Sequence, residues 1–149
     1  LGVVFDKNRV ISLGFVLFFA ILSSSLIYAH AREFNILASG EEEALTLGVE
    51  VERLKKIVFI LGSLLVGLTV SFCGAIGFIG LVVPHITRLI VGPDHRILIP
   101  VSALIGAILI IVADIFARSV APFEIPVGVI TALFGVPFFA YLLRKRKAT

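Results

Sequence analysis

Charge is what this chain has least of. Only 15% of its 149 residues are Asp, Glu, Lys or Arg, against about 25% in ordinary soluble domains. Ile57 to Thr87 pass without one formally charged side chain. Methionine is absent altogether, so no start residue is represented, and the expectation is the C-terminal part of a longer protein. Nothing near Leu1 resembles a signal peptide with a basic start and a small-residue cleavage site. Cysteine occurs once, at Cys73 in an apolar run, which rules out a disulfide framework and leaves the redox compartment unread. No Gly-x-x-x-x-Gly-Lys-[Ser/Thr] loop is present to hold nucleotide phosphates. No second His, Cys or carboxylate stands at metal-ligand spacing from His85, and one imidazole makes a poor metal site.

What is there is apolar: 59% of the residues are hydrophobic and the mean hydropathy is +1.14. The chargeless stretch would be roughly 46 Å long as one helix, but a bilayer core is only about 30 Å thick. The chain therefore turns within it, and Gly74, Gly77 and Gly80, followed by Pro84, mark the place. Five membrane segments follow: Val10–Ala29, Ile57–Gly77, a short Gly80–Val91, Ile97–Val120 and Ile125–Leu143. The Ser23-Ser24-Ser25 step in the first is tolerated in lipid where hydroxyls bond back to the backbone. The predicted fold class is an all-α polytopic membrane bundle.

A pI near 9.4 suggests nucleic acid or acidic lipid, but the basic residues sit between and beyond the apolar runs, where topology signals belong. Placing Arg144-Lys145-Arg146-Lys147 in the cytoplasm and alternating back puts ten of the thirteen Lys and Arg on that side. Only Lys7, Arg9 and Arg118 fall outside. Nucleic acid is excluded as a partner on this reading.

Between Ala31 and Lys56 the chain leaves the membrane. Ser39-Gly40 before Glu41, Glu42 and Glu43 reads as a helix start, with acids at its positive end. Gly48 reads as a stop, and Glu52 to Lys56 as an i,i+4 pair. Two short helices separated by Gly48 are expected. Leu45, Leu47 and Val49 offer apolar contact points among acids. The segment is either a solvated linker or a docking element for a soluble partner, and its length favours a function.

Some single residues stand out. Pro84 frees a helical carbonyl, and His85 beside it is expected in structural hydrogen bonding, with substrate contact as the alternative. Asp94, after Gly92-Pro93, suits a cap for the next helix, with a minor partner contact as the alternative. Asp114 is the one carboxylate well inside an apolar segment, where such groups default to function. Arg118 lies at i+4, so a structural ion pair satisfies both, and a proton relay lacks the further acids it needs. Glu124 is placed to meet an external protein or simply water. Pro126, Gly128, Gly135 and Pro137 interrupt the last span, and Gly128, Thr131, Gly135 and Pro137 fit close helix packing, a pathway wall, or both.

The stretches ASGEEEALTLGV, GAIGFIGLVVPHITRLIVGPDHRILIP, ADIFARSV and EIPVGVITALFGVPFFAYLL resemble the C-terminal half of FecCD-type permeases, the membrane subunits of ATP-binding-cassette importers for iron chelates, haem and cobalamin. The resemblance runs from about Ile36 to Leu143, and Gly-Phe-Ile-Gly-Leu-Val-Val-Pro-His-Ile-x-Arg is its most specific part. It implies a type II importer fold of about ten spans, of which this chain is one continuous permease region carrying the last five. It implies a second permease copy, two ATPase subunits that hold the ATP and Mg, and an extracytoplasmic substrate-binding protein. No cofactor is expected on this chain. The 31–56 segment becomes the coupling loop, with Gly40, Glu41, Ala44, Leu47 and Gly48 meeting the ATPase. The cytoplasmic (inner) membrane is the implied location, with a cytoplasmic C-terminus. The alternative is an ion- or proton-coupled carrier using Asp114. An intramembrane enzyme lacks both a nucleophile–base pair and paired acids.

Overall fold

The computed structural model describes residues 7–120 and 126–147. The regular elements among them are all α-helices: α1 (Lys7–Ala29), α2 (Ala31–Leu37), α3 (Glu41–Thr46), α4 (Val51–Cys73), α5 (Ile79–Val91), α6 (His95–Val120) and α7 (Val127–Lys147). Four of them, α1, α4, α6 and α7, are long and apolar enough to cross a membrane. The 13-residue α5 reaches about 20 Å, short of a full crossing. Four long segments and one short one match the five expected.

The boundaries differ in one informative place. The second segment begins at Val51 and ends at Cys73, where Ile57 and Gly77 were expected. The charged residues Glu52 to Lys56 do not form a separate short helix after Gly48. They are the first turns of α4, because no Gly or Pro interrupts the chain before Gly62. The ion pair of Glu52 is with Lys55, at 4.0 Å, in place of the expected Lys56. Helix α2 was not expected at all.

The chain divides into two compact units, Leu1–Phe72 and Cys73–Thr149. In the first, α1 is exposed along most of its length, with Ser23 its one buried residue. Phe19 packs on Phe15 and Phe18 with ring centroids 4.5 and 5.6 Å away. The core of this unit lies at the loop end, where Ala44, Val49, Val51 and Leu54 cluster against Phe34, Ile36 and Leu37.

In the second unit α5, α6 and α7 pack on one another. Val83 and Thr87 are the buried residues of α5. Thr87 Oγ1 donates to the Val83 carbonyl at 2.8 Å, so its hydroxyl is satisfied without a neighbouring helix. The same back-bonding occurs at Ser12, Thr69 and Ser119. Asp94 caps α6 as expected: its Oδ1 accepts from the Arg96 N–H at 3.0 Å. The wide exposed apolar faces of α6, with Leu104 and Ile108, suit hydrocarbon or further protein, not water.

Candidate functional site

Two regions carry the residues singled out above, one in each unit. The first is the loop between α1 and α4. Helix α3 opens at Gly40, whose φ of 137° is open to glycine and strained for other residues. It closes in a Schellman motif at Gly48. There the Gly48 N–H donates to the Leu45 carbonyl at 3.1 Å, and the Val49 N–H to the Ala44 carbonyl at 2.9 Å. Gly48 supplies the required positive φ, 82°. The reversal brings Val49 back onto Ala44, and both are buried.

This geometry sorts the expected contact residues. Glu41 and Leu47 lie on the surface, and so do Glu42, Glu43 and Leu45. Ala44 is fully buried, at 0% exposure, so its side chain supports the surface from beneath and meets nothing outside. A six-residue helix turns only one narrow face inward, and Ala44 holds that face. Leu45 and Leu47, 61% and 63% exposed, stand as isolated apolar points among three acids. Lys55 Nζ donates to Glu41 Oε1 at 2.6 Å, which ties α3 to the first turns of α4. A polar groove of about 350 Å³ opens alongside, lined by His30, Glu33, Glu50 and Arg53 among others. The contributions of α2 and Leu54 to this platform were not foreseen, although Phe34, Ile36 and Leu37 were an apolar signal beside the acids.

The second region is the turn before α5 and the helix face it packs on. Residues 74–77 have no regular structure, and Phe78 adopts the left-handed conformation, φ 65° and ψ −26°. For a bulky residue this costs about 1–3 kcal/mol and persists only where the surroundings impose it. Here α7 imposes it. Gly128, Thr131 and Gly135 fall on one helical face. A Cβ on Gly128 would overlap the Ala75 carbonyl, and one on Gly135 would overlap the Phe78 side chain. Thr131, 7% exposed, donates Oγ1 to the Gly128 carbonyl at 3.0 Å. The three small residues therefore form a groove that the 74–78 backbone occupies. Pro137 is on the exposed side of α7. Below Phe78 an apolar cavity of about 370 Å³ lies among α5, α6 and α7, lined by Val83, Phe116, Thr131 and Phe134 among others.

Asp114 and Arg118 meet as an ion pair on α6, with Arg118 Nε donating to Asp114 Oδ2 at 2.8 Å. His85 is exposed, and among the described residues its ring makes no hydrogen bond. The turn that would hold Glu124 lies outside the described residues. Among the described residues no three His, Cys, Asp or Glu side chains group to hold a metal ion.

Residues 4–145 match the FecCD transport family. The chain belongs to that family. It is 54% identical over 127 residues to the cobalamin import system permease protein BtuC of Halobacterium salinarum, a match covering 85% of this chain and 34% of that one. It is 48% identical to the hemin transport system permease protein HmuU of Yersinia pestis (78% and 35% covered). With the Fe(3+) dicitrate transport system permease protein FecD of Escherichia coli the identity is 47% (83% and 39% covered). A solved inward-facing structure of an ABC transporter assigned to the metal-chelate type superposes with a TM-score of 0.83 at 37% identity, covering 90% of this chain and 44% of that one. The chain thus spans between a third and two fifths of the length of these relatives. Membership makes it a multi-pass membrane protein of the permease type, in agreement with its four membrane-length helices.

Proposed function

We propose that the protein to which this chain belongs is the permease subunit of an ATP-binding-cassette importer for an iron chelate, haem or cobalamin. Two copies form the pathway between them. A separate ATPase docks on residues 36–48, and an extracytoplasmic binding protein delivers the substrate. The chain does no chemistry of its own; ATP and Mg belong to the ATPase. The whole of 1–149 acts as one permease region in the cytoplasmic membrane with its C-terminus inside.

The observation that carries this reading is the folded state of the loop. A passive linker needs no core, yet this one buries Ala44, Val49, Val51 and Leu54 and leaves Glu41, Leu45 and Leu47 outside. A rigid, mixed acidic and apolar surface continuous with a membrane helix is suited to receiving a push from a soluble partner. Asp114, closed on Arg118, fits an anchor better than a proton carrier, which must release its partner during each cycle.

The test is purification of the full-length protein in mild detergent from its own membranes, with mass spectrometry of what accompanies it. A stoichiometric ATPase, lost when Glu41 to Gly48 are scrambled, is the expected result. A clean protein with no ATPase would sink the importer and bring ion coupling through Asp114 forward.

A further inference from the structure

Phe78 holds a backbone conformation that its own side chain does nothing to favour. With φ 65° and ψ −26°, it is the middle residue of a three-residue turn. The Ile79 N–H closes that turn by donating to the Gly77 carbonyl at 2.8 Å. The geometry is close to the rare, strained form of the γ-turn. Such residues persist only where neighbours hold them, and they collect at elements that switch. The neighbour here is Gly135 on α7, over which Phe78 Cβ and Cγ lie.

A second position for the ring exists among the same three helices. Phe78 and Gly135 themselves line the apolar cavity of about 370 Å³, together with Val83, Ala113, Phe116 and Phe134. An apolar cavity of about 150 Å³ already accepts benzene, so a phenyl ring fits. The backbone can follow it. With Phe78 in the right-handed region, the Gly77 carbonyl exchanges the Ile79 N–H for that of Leu81, which in this structure donates to the Phe78 carbonyl at 3.1 Å. The Phe78 carbonyl keeps the Val82 N–H, at 2.9 Å, and α5 gains one residue at its start. Both carbonyls keep a donor, and the Ile79 N–H joins the first-turn donors that every helix start leaves open. A Cβ built on Gly74, Gly77 or Gly80 meets no atom within 4 Å among the described residues, so none of them obstructs the turn.

We propose that Phe78 is a two-position latch between α7 and α5. In the position seen here its ring lies on Gly135 and its backbone is strained. In the other the ring enters the cavity, the backbone is right-handed and the start of α5 is released from Gly135. Packed helices move between discrete arrangements of this kind, because a filled core does not deform continuously. The latch lets α5 and α7 shift past each other in one step. The inference rests on the packing of α5, α6 and α7 alone, not on the ATPase or the cargo.

Fluorine NMR of the full-length permease with its partner subunits tests it, with para-fluorophenylalanine placed at position 78 only. Two resonances are expected, the minor one at about 10% of the total. Gly135→Ala puts a methyl group where the ring lies and should move the ratio about tenfold toward the second position. Ala113→Phe fills the cavity with another ring and should leave the first position alone. A single resonance in the native protein, or two whose ratio neither substitution changes, overturns the proposal. Another part of the full-length chain seated in the cavity would give the first of these results. If Ala113→Phe fails to fold, Gly135→Ala decides. Two responsive resonances in a protein that purifies without an ATPase would remove the importer and leave the latch standing.

Discussion

Lys55 Nζ and Glu41 Oε1, fourteen positions apart in the chain, sit 2.6 Å from each other. They join the first residue of α3 to the base of α4 across the loop core. The pair is solvent-exposed, so its worth lies in orientation more than in stability. Lys55→Glu should let α3 swing on its glycine ends and speed amide hydrogen exchange in Glu41–Thr46. The charge swap Glu41→Lys with Lys55→Glu should restore protection. Unchanged exchange in the single variant would show that the core alone fixes α3.

The buried and exposed residues of α3 should separate under mutation. Ala44→Leu forces extra carbons into a filled site and should cost about 1–3 kcal/mol, read as a lower unfolding temperature. Leu47→Asp should leave stability within about 0.5 kcal/mol, as a surface change does, while abolishing ATPase co-purification. Retention of the ATPase by Leu47→Asp would move the docking surface elsewhere.

Gly48→Ala keeps the composition of the loop and breaks its closure. A Cβ in the left-handed region costs about 1–2 kcal/mol, and Val49 would be drawn off Ala44. Membrane insertion should stay normal while substrate uptake falls. Uptake at the normal rate would argue against a coupling role for this turn.

At Gly135 two effects oppose each other. Alanine gains about 1 kcal/mol of helix propensity over glycine. Overlap with Phe78 costs about 1–3 kcal/mol, so Gly135→Ala should be destabilising on balance. Adding Phe78→Gly removes both the overlap and the left-handed strain, and should recover most of the loss in a detergent unfolding assay. Failure of that rescue would place the constraint on some other neighbour.

Asp114→Asn should lower the yield of folded protein, since it removes the carboxylate charge that accepts from Arg118 Nε at 2.8 Å. Replacing both residues by leucine should be milder than either single change. Uptake in the double variant should remain independent of a pH gradient. A carrier using Asp114 would lose uptake with Asp114→Asn even when folded protein is matched.

The membrane segments were legible because hydrocarbon imposes so crude a filter. Length and lack of charge were enough to place α1, α6 and α7, and the glycines at 74 and 77 located the turn. The extent of α4 was misread because Glu52 to Lys56 look like the end of a soluble element. A helix does not stop at the water boundary unless something breaks it, and nothing does so before Gly62. In the loop, the apolar letters of Leu45, Leu47 and Val49 gave no indication of which pointed inward. That depended on the reversal at Gly48, a three-dimensional fact. The conformation of Phe78 was invisible for a similar reason. The α7 residue it packs on, Gly135, lies more than fifty positions further along the chain.

Val51 and Leu54 are at once core residues of the loop and the opening turns of α4. No joint separates the surface platform from the membrane helix, so neither can tilt without carrying the other. A displacement of a few ångströms at Glu41 or Leu47 is then not absorbed locally. It becomes a rotation of a rod about 35 Å long, whose far end is the peptide leading into Gly74.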